Sequence, residues 1–129
     1  MRPVLVVVLI ALAAGCGGTT GPTPVDRSEL LTAFAGIDEP LTLRLDMRRA
    51  DQGSPVDAIF VPASSDVPDS PIEVNLFDNE DGARINSVGI EKVAGAKAEV
   101  VLHKNVVMLL ARSVPEERRD RLVAALKSV

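Results

Sequence analysis

This sequence predicts an α+β fold: a mainly antiparallel sheet of about five strands, with an N-terminal helix, a C-terminal helix and a middle helix packed on one face. Three observations carry the prediction. Short segments with a hydrophobic repeat of two are separated by turn-forming stretches, and capping signals open a helix near each end of the folded region. The strands also alternate apolar with polar residues instead of being apolar throughout, as expected of a sheet with one covered and one wet face.

Asp26 and Glu29 have capping-box spacing, and Leu30, Phe34 and Ile37 recur at helical intervals, so a short amphipathic helix is expected from about Arg27 to Ala35, ended by Gly36. Leu41, Leu43, Leu45 and Met47 alternate with Thr42, Arg44, Asp46 and Arg48, the pattern of a half-buried strand. The turn-like Asp51-Gln52-Gly53-Ser54-Pro55 leads to a second strand over Ala58-Ile59-Phe60-Val61, stopped by Pro62. After the Ser-, Asp- and Pro-rich connection from Ala63 to Pro71, Ile72, Val74 and Leu76 define a third strand.

The next segment, 78–88, reads two ways. Asp78 can cap a helix through about Ser87, the preferred reading, or Asp81-Gly82 can turn the chain into another strand. Ala98–Leu102 and Val106–Ala111 flank His103-Lys104-Asn105 as a closing hairpin or one long bulged strand. Ser113 with Glu116 has capping-box spacing, Pro115 suits a first turn, and Leu122, Ala125, Leu126 and Val129 line one face of a last helix whose arginines are expected in water.

Ahead of the folded region, 26–129, two segments have a different character. Arg2 precedes the eleven-residue apolar run Val4–Ala14, which ends Leu12-Ala13-Ala14-Gly15-Cys16. A membrane span needs about twenty apolar residues, whereas a charged start, a short apolar stretch and small residues before a cut site have the layout of an export signal. The segment resembles the signal peptide of bacterial lipoproteins, whose lipobox sets small residues before an invariant cysteine, here Ala14, Gly15 and Cys16. Leu12 stands one residue further from the cysteine than the family's usual leucine, and Ala13 takes that place.

The resemblance implies that Cys16 receives a diacylglyceryl group on its thiol, and that cleavage between Gly15 and Cys16 removes 1–15 as the signal. Two acyl chains give stable anchoring where one is marginal. Residues 16–25, with Gly17-Gly18-Thr19-Thr20-Gly21-Pro22-Thr23-Pro24, read as a tether. The implied location is a cell membrane, on its extracytoplasmic side. The ending from Asn105-Val106-Val107 onward resembles the last third of small uncharacterised bacterial lipoproteins, a likeness that brings no activity with it.

Composition narrows the function classes. With 14 basic and 18 acidic residues the formal charge is −4, and the clusters Arg48-Arg49 and Arg118-Arg119-Asp120-Arg121 are short or interrupted, so nucleic acid is not an expected partner. Three Phe with no Trp or Tyr disfavour sugar or base stacking. His103 is the only histidine and no Gly-x-Ser-x-Gly elbow occurs, so no catalytic residues are assigned; His103 itself reads as an exposed or backbone-bonded turn residue.

No cofactor or metal site is assigned either. Zinc spacing is missing, and placing Gly82 sixth in an EF-hand loop puts Phe77 first and Val88 twelfth, where oxygen ligands are needed. Asp78, Glu80 and Asp81 instead suit a helix N-terminus. Paired carboxylates such as Asp38-Glu39 and Glu116-Glu117 do not converge through adjacency alone, and Glu117 with Arg121 reads as a surface ion pair.

The expectation is therefore a non-enzymatic, lipid-anchored module that binds a protein or envelope component outside the cytoplasmic membrane, with an envelope protein as one such partner. A small-ligand or metal-binding lipoprotein using the 63–71 loop, with Asp66, Asp69, Ser64, Ser65 and Ser70, is the alternative; an envelope hydrolase built on scattered carboxylates is third.

Overall fold

The first helix is set by its cap. The Asp26 carboxylate accepts from the Glu29 N–H (2.8 Å) and the Glu29 carboxylate accepts from the Asp26 N–H (3.1 Å), the reciprocal box expected from the spacing. Helix α1 runs Arg27–Ala35 and buries Leu30 and Phe34 completely. Asp38, in the left-handed region at φ 59°, then turns the chain toward the sheet. The computed structural model describes residues 23–46, 56–65 and 70–129. Gly15, Cys16, the expected turn at Asp51–Pro55 and the loop residues Asp66 and Asp69 lie outside the described residues.

The strands are β1 (Leu41–Asp46), β2 (Val56–Pro62), β3 (Ile72–Phe77), β4 (Ala98–His103) and β5 (Val106–Ala111); the remaining helices are α2 (Glu80–Ala94) and α3 (Glu116–Lys127). All strand pairs are antiparallel, and the sheet order is β1-β2-β3-β5-β4. Among the described residues the fold is α+β with five strands, helices at both ends and one between. Ala98–His103 and Val106–Ala111 form the closing hairpin, with His103 paired to Val106 and Lys104 at φ 50° in the tight turn. Because β5 inserts between β3 and β4, α2 crosses over it to join them.

Register assigns the two faces. Val74 stands between Phe60 and Met108, and these side chains join Leu41, Ile72, Leu76, Val106 and Leu110 in the main core with Leu30 and Phe34 of α1 and Leu122 and Leu126 of α3. The intervening residues point the other way. Phe77 and Val107 pack with Ala83 and, at the margin, Ile90 of α2, together with Val100 and Leu109. The terminal helices thus share one face as expected, whereas α2 covers the other, over β4, β5 and part of β3. A chain leaving β3 needs a crossover to reach β4, and the first face is already filled by α1 and α3.

Three local expectations are corrected. The alternation of β1 predicts one apolar face, but a bulge at Arg44 sets Leu43 opposite Phe60 and Leu45 opposite Ile59, on opposite faces, leaving them 48% and 43% exposed. Helix α2 begins at Glu80 with Asn79 as its cap (Gly82 N–H to Asn79 Oδ1, 2.7 Å) and continues seven residues past Ser87. The Ser113 capping box does not form: α3 starts after Pro115 with no side-chain cap, because burial of Val114 in the core holds Ser113 outside the helix.

Candidate functional site

Helix α2 buries Ala83 and Ser87 and turns about 100° per residue, so its two flanks differ. Glu80, Arg84 and Glu91 occupy one. Gly82, Ile85, Asn86, Gly89 and Val93 occupy the other, beside Leu109 of β5. Between them lies a groove of about 450 Å³ lined by Ile85, Asn86, Gly89, Ile90, Val93, Ala94 and Leu109. Val93 is 89% exposed and Ile85 66%, unusual for large aliphatic side chains on one helix.

The polar side chains nearby are turned inward on their own helix. Asn86 Nδ2 donates to the Gly82 carbonyl (2.8 Å) and Ser87 Oγ donates to the Arg84 carbonyl (2.7 Å). A Cβ at Gly89 would meet nothing within 4 Å, so the notch between Ile85 and Val93 is open space. Beyond Leu109, Glu73 of β3 takes Arg44 of β1 across β2 at 2.7 Å, and Leu45 and Ile59 share that face. The surface is an aliphatic wall and floor bordered by an ion pair.

The carboxylates of the expected hydrolase reading are engaged elsewhere. Glu39, only 7% exposed, accepts from Arg118 Nε (2.7 Å) and Nη2 (2.9 Å), with Arg121 3.9 Å away. The Arg118 hydrogen bonds hold the Glu39 carboxyl below its ordinary value, although burial pushes it up, the reverse of what a general acid requires. Arg118 and Arg119 are therefore not the solvated face predicted: Arg119 donates to the Val114 carbonyl (3.0 Å) and to Glu99 (3.2 Å). Glu117 meets Arg121 only at 4.0 Å.

The remaining candidates are dispersed. His103 ends β4, half-buried, with Nε2 donating to the Val129 carbonyl (2.9 Å). Asp78, Glu80 and Asp81 stand exposed around the α2 N-terminus. Ser70 Oγ donates to the Ile72 carbonyl (2.6 Å), closing its own turn. Among the described residues no three His, Cys, Asp or Glu side chains gather as a metal site, and no helix is long and apolar enough to cross a membrane.

No family model, curated protein or solved structure matches the chain.

A second concavity, about 420 Å³, lies where the chain enters the fold, between Pro24–Ser28, Asp57, Phe77, Asp78 and Asn105. Its cation is already committed. Arg27 donates to Asp57 (2.8 Å), to Asp46 (3.0 Å) and to the Asp57 carbonyl (3.0 Å), and the Asp57 hydrogen bond raises its pKa. Asn105, 2% exposed, grips the entering chain: Val25 N–H donates to Oδ1 (2.7 Å), and Nδ2 donates to the Val25 and Phe77 carbonyls (2.9 Å each). This is a structural clasp.

The groove on α2 was not legible from the first half of the helix alone. Its signal was Ile85, Gly89 and Val93 at four-residue spacing, followed by Lys92 in the last turn and Gly95 as the cap.

Proposed function

We propose that this chain is a bacterial lipoprotein, held on the extracytoplasmic side of a cell membrane by acylated Cys16, whose domain is a non-enzymatic module binding an envelope protein through the α2 groove. The anchoring half of this reading rests on the signal-like run and the Ala14-Gly15-Cys16 ending. The single observation behind the binding half is the exposed aliphatic strip Ile85–Gly89–Val93 over Leu109, an apolar concave surface that solvent disfavours and a protein face fits. Few polar groups converge there, so a small polar ligand would have little to orient it.

The test combines two labels in whole cells. A fatty-acid probe is expected to mark the chain and to be lost in Cys16→Ala. A photo-crosslinking amino acid at Val93 is expected to give protein adducts in the labelled form, while the same group at Glu117, on the far face, gives background. Label retained in Cys16→Ala overturns the anchor, and equal adduct yields at 93 and 117 overturn the groove.

A further inference from the structure

The geometry points to a second copy of this chain as the occupant of the α2 groove, bound antiparallel through α2 about a two-fold axis beside Gly89. The inference rests on the groove being the interaction surface, and names its partner.

A two-fold contact is isologous, so each position before the axis must suit the position equally far beyond it. Around Gly89 the strip meets that demand. Ile85 and Val93 lie four residues to either side, so each copy's Val93 would cover the partner's Ile85 while the two Gly89 positions face each other. The open space at the Gly89 Cβ direction permits helix axes to approach toward the lower end of the usual 8–10 Å range. Asn86 keeps the bond from its Nδ2 to the Gly82 carbonyl when water leaves the groove.

Charge fixes the direction. The first turn of α2 carries Glu80 and Asp81 with Asp78 just before it, and the last turn carries Lys92 with Lys97 just beyond. Glu91 and Arg84 oppose this bias locally, and Arg84 is paired within its own copy to Asp81 at 3.0 Å. The net arrangement remains acidic at the N-terminal end and basic at the C-terminal end, in step with the helix dipole. Antiparallel packing sets acidic end against basic end twice; parallel packing sets like against like. A contact along one helix is small, but copies confined to one membrane meet at a high effective concentration, so modest affinity suffices.

The experiment uses the full chain in cells that express two copies with different tags, each carrying the photo-crosslinker at Val93. An adduct containing both tags is the expected product. Asp81→Lys and Lys97→Glu, eight residues to either side of Gly89 and so facing each other across the axis, are each expected to lower its yield by about threefold or more, because a two-fold contact counts each change twice, and the double variant is expected to restore it. These exposed positions leave the core untouched, so a lost adduct is not a lost fold. Adducts at Val93 that never contain both tags overturn the second copy while leaving the groove as an interaction surface. Failure of the double variant to restore the yield overturns the antiparallel direction and with it this inference. No adduct at Val93 overturns both.

Discussion

Glu39 is a carboxylate almost without solvent, and its charge is kept by one guanidinium from a helix seventy-nine residues away in sequence. Its folded pKa lies below the ordinary 4.5, so the pair's contribution is fully present above that value and is lost as pH falls through the folded value. Glu39→Gln is therefore expected to flatten the acid side of a plot of urea midpoint against pH, and an unchanged slope below pH ~5 would place the acid sensitivity elsewhere. Removing the partner is worse than removing the charge. Arg118→Ala strands a nearly buried carboxylate and is expected to cost about 2 kcal/mol, while Arg121→Ala, half in solvent and 3.9 Å away, stays within about 0.5 kcal/mol. Sequence spacing shows only local pairs such as Glu117 with Arg121, the weaker contact at 4.0 Å. The Arg118 pair depends on how α3 lies across the α1–β1 connection, which no local pattern encodes.

Among the elements, those with a self-contained signal were legible. The reciprocal Asp26–Glu29 cap fixes α1 and the alternation in β3 matches its buried face, while the segment around Lys104, readable as a hairpin or one bulged strand, is a hairpin. Two features escaped. The β1 bulge at Arg44 leaves the alternation of letters intact while moving Leu45 to the other face, so periodicity alone cannot reveal it. Helix α2 is expected from its sequence to end near Ser87, yet Ile85 and Val93 continue the helical spacing through Gly89. This makes a clear prediction at the scale of one helix. Gly89→Ala adds a methyl that touches nothing and removes the entropy cost of glycine, so the urea midpoint should rise by an amount equivalent to about 0.5–1 kcal/mol with an unchanged slope. A lower midpoint would show that the groove tolerates no Cβ even in the free domain.

At the scale of the whole molecule, class and strand number follow from the alternation of elements, but the sheet order does not. Nothing in the sequence of β4 and β5 says that β5 takes the place beside β3, and that choice carries α2 across the face left free by α1 and α3. The candidate groove is a by-product of the same choice, since α2 lies over β4, β5 and part of β3 and leaves its own flank beside Leu109 open. The clasp at Asn105 also belongs to this scale, for it decides where tension enters the domain. Val25 is gripped through both its backbone groups by a residue that also bonds Phe77 at the end of β3. Any pull arriving along the N-terminal segment is handed to the end of β3 and the turn that opens β5, both interior strands, before it reaches α1. Stretching the full chain between its ends, wild type should hold α1 in place until this grip yields, whereas Asn105→Ala should release α1 at a lower force and ahead of the sheet. Coincident release in both forms would mean that α1 bears the load itself. With the grip intact, the domain hangs from its sheet, and a tug on the segment that leads to it leaves the helical layer, and the shape of the surface beyond it, undisturbed.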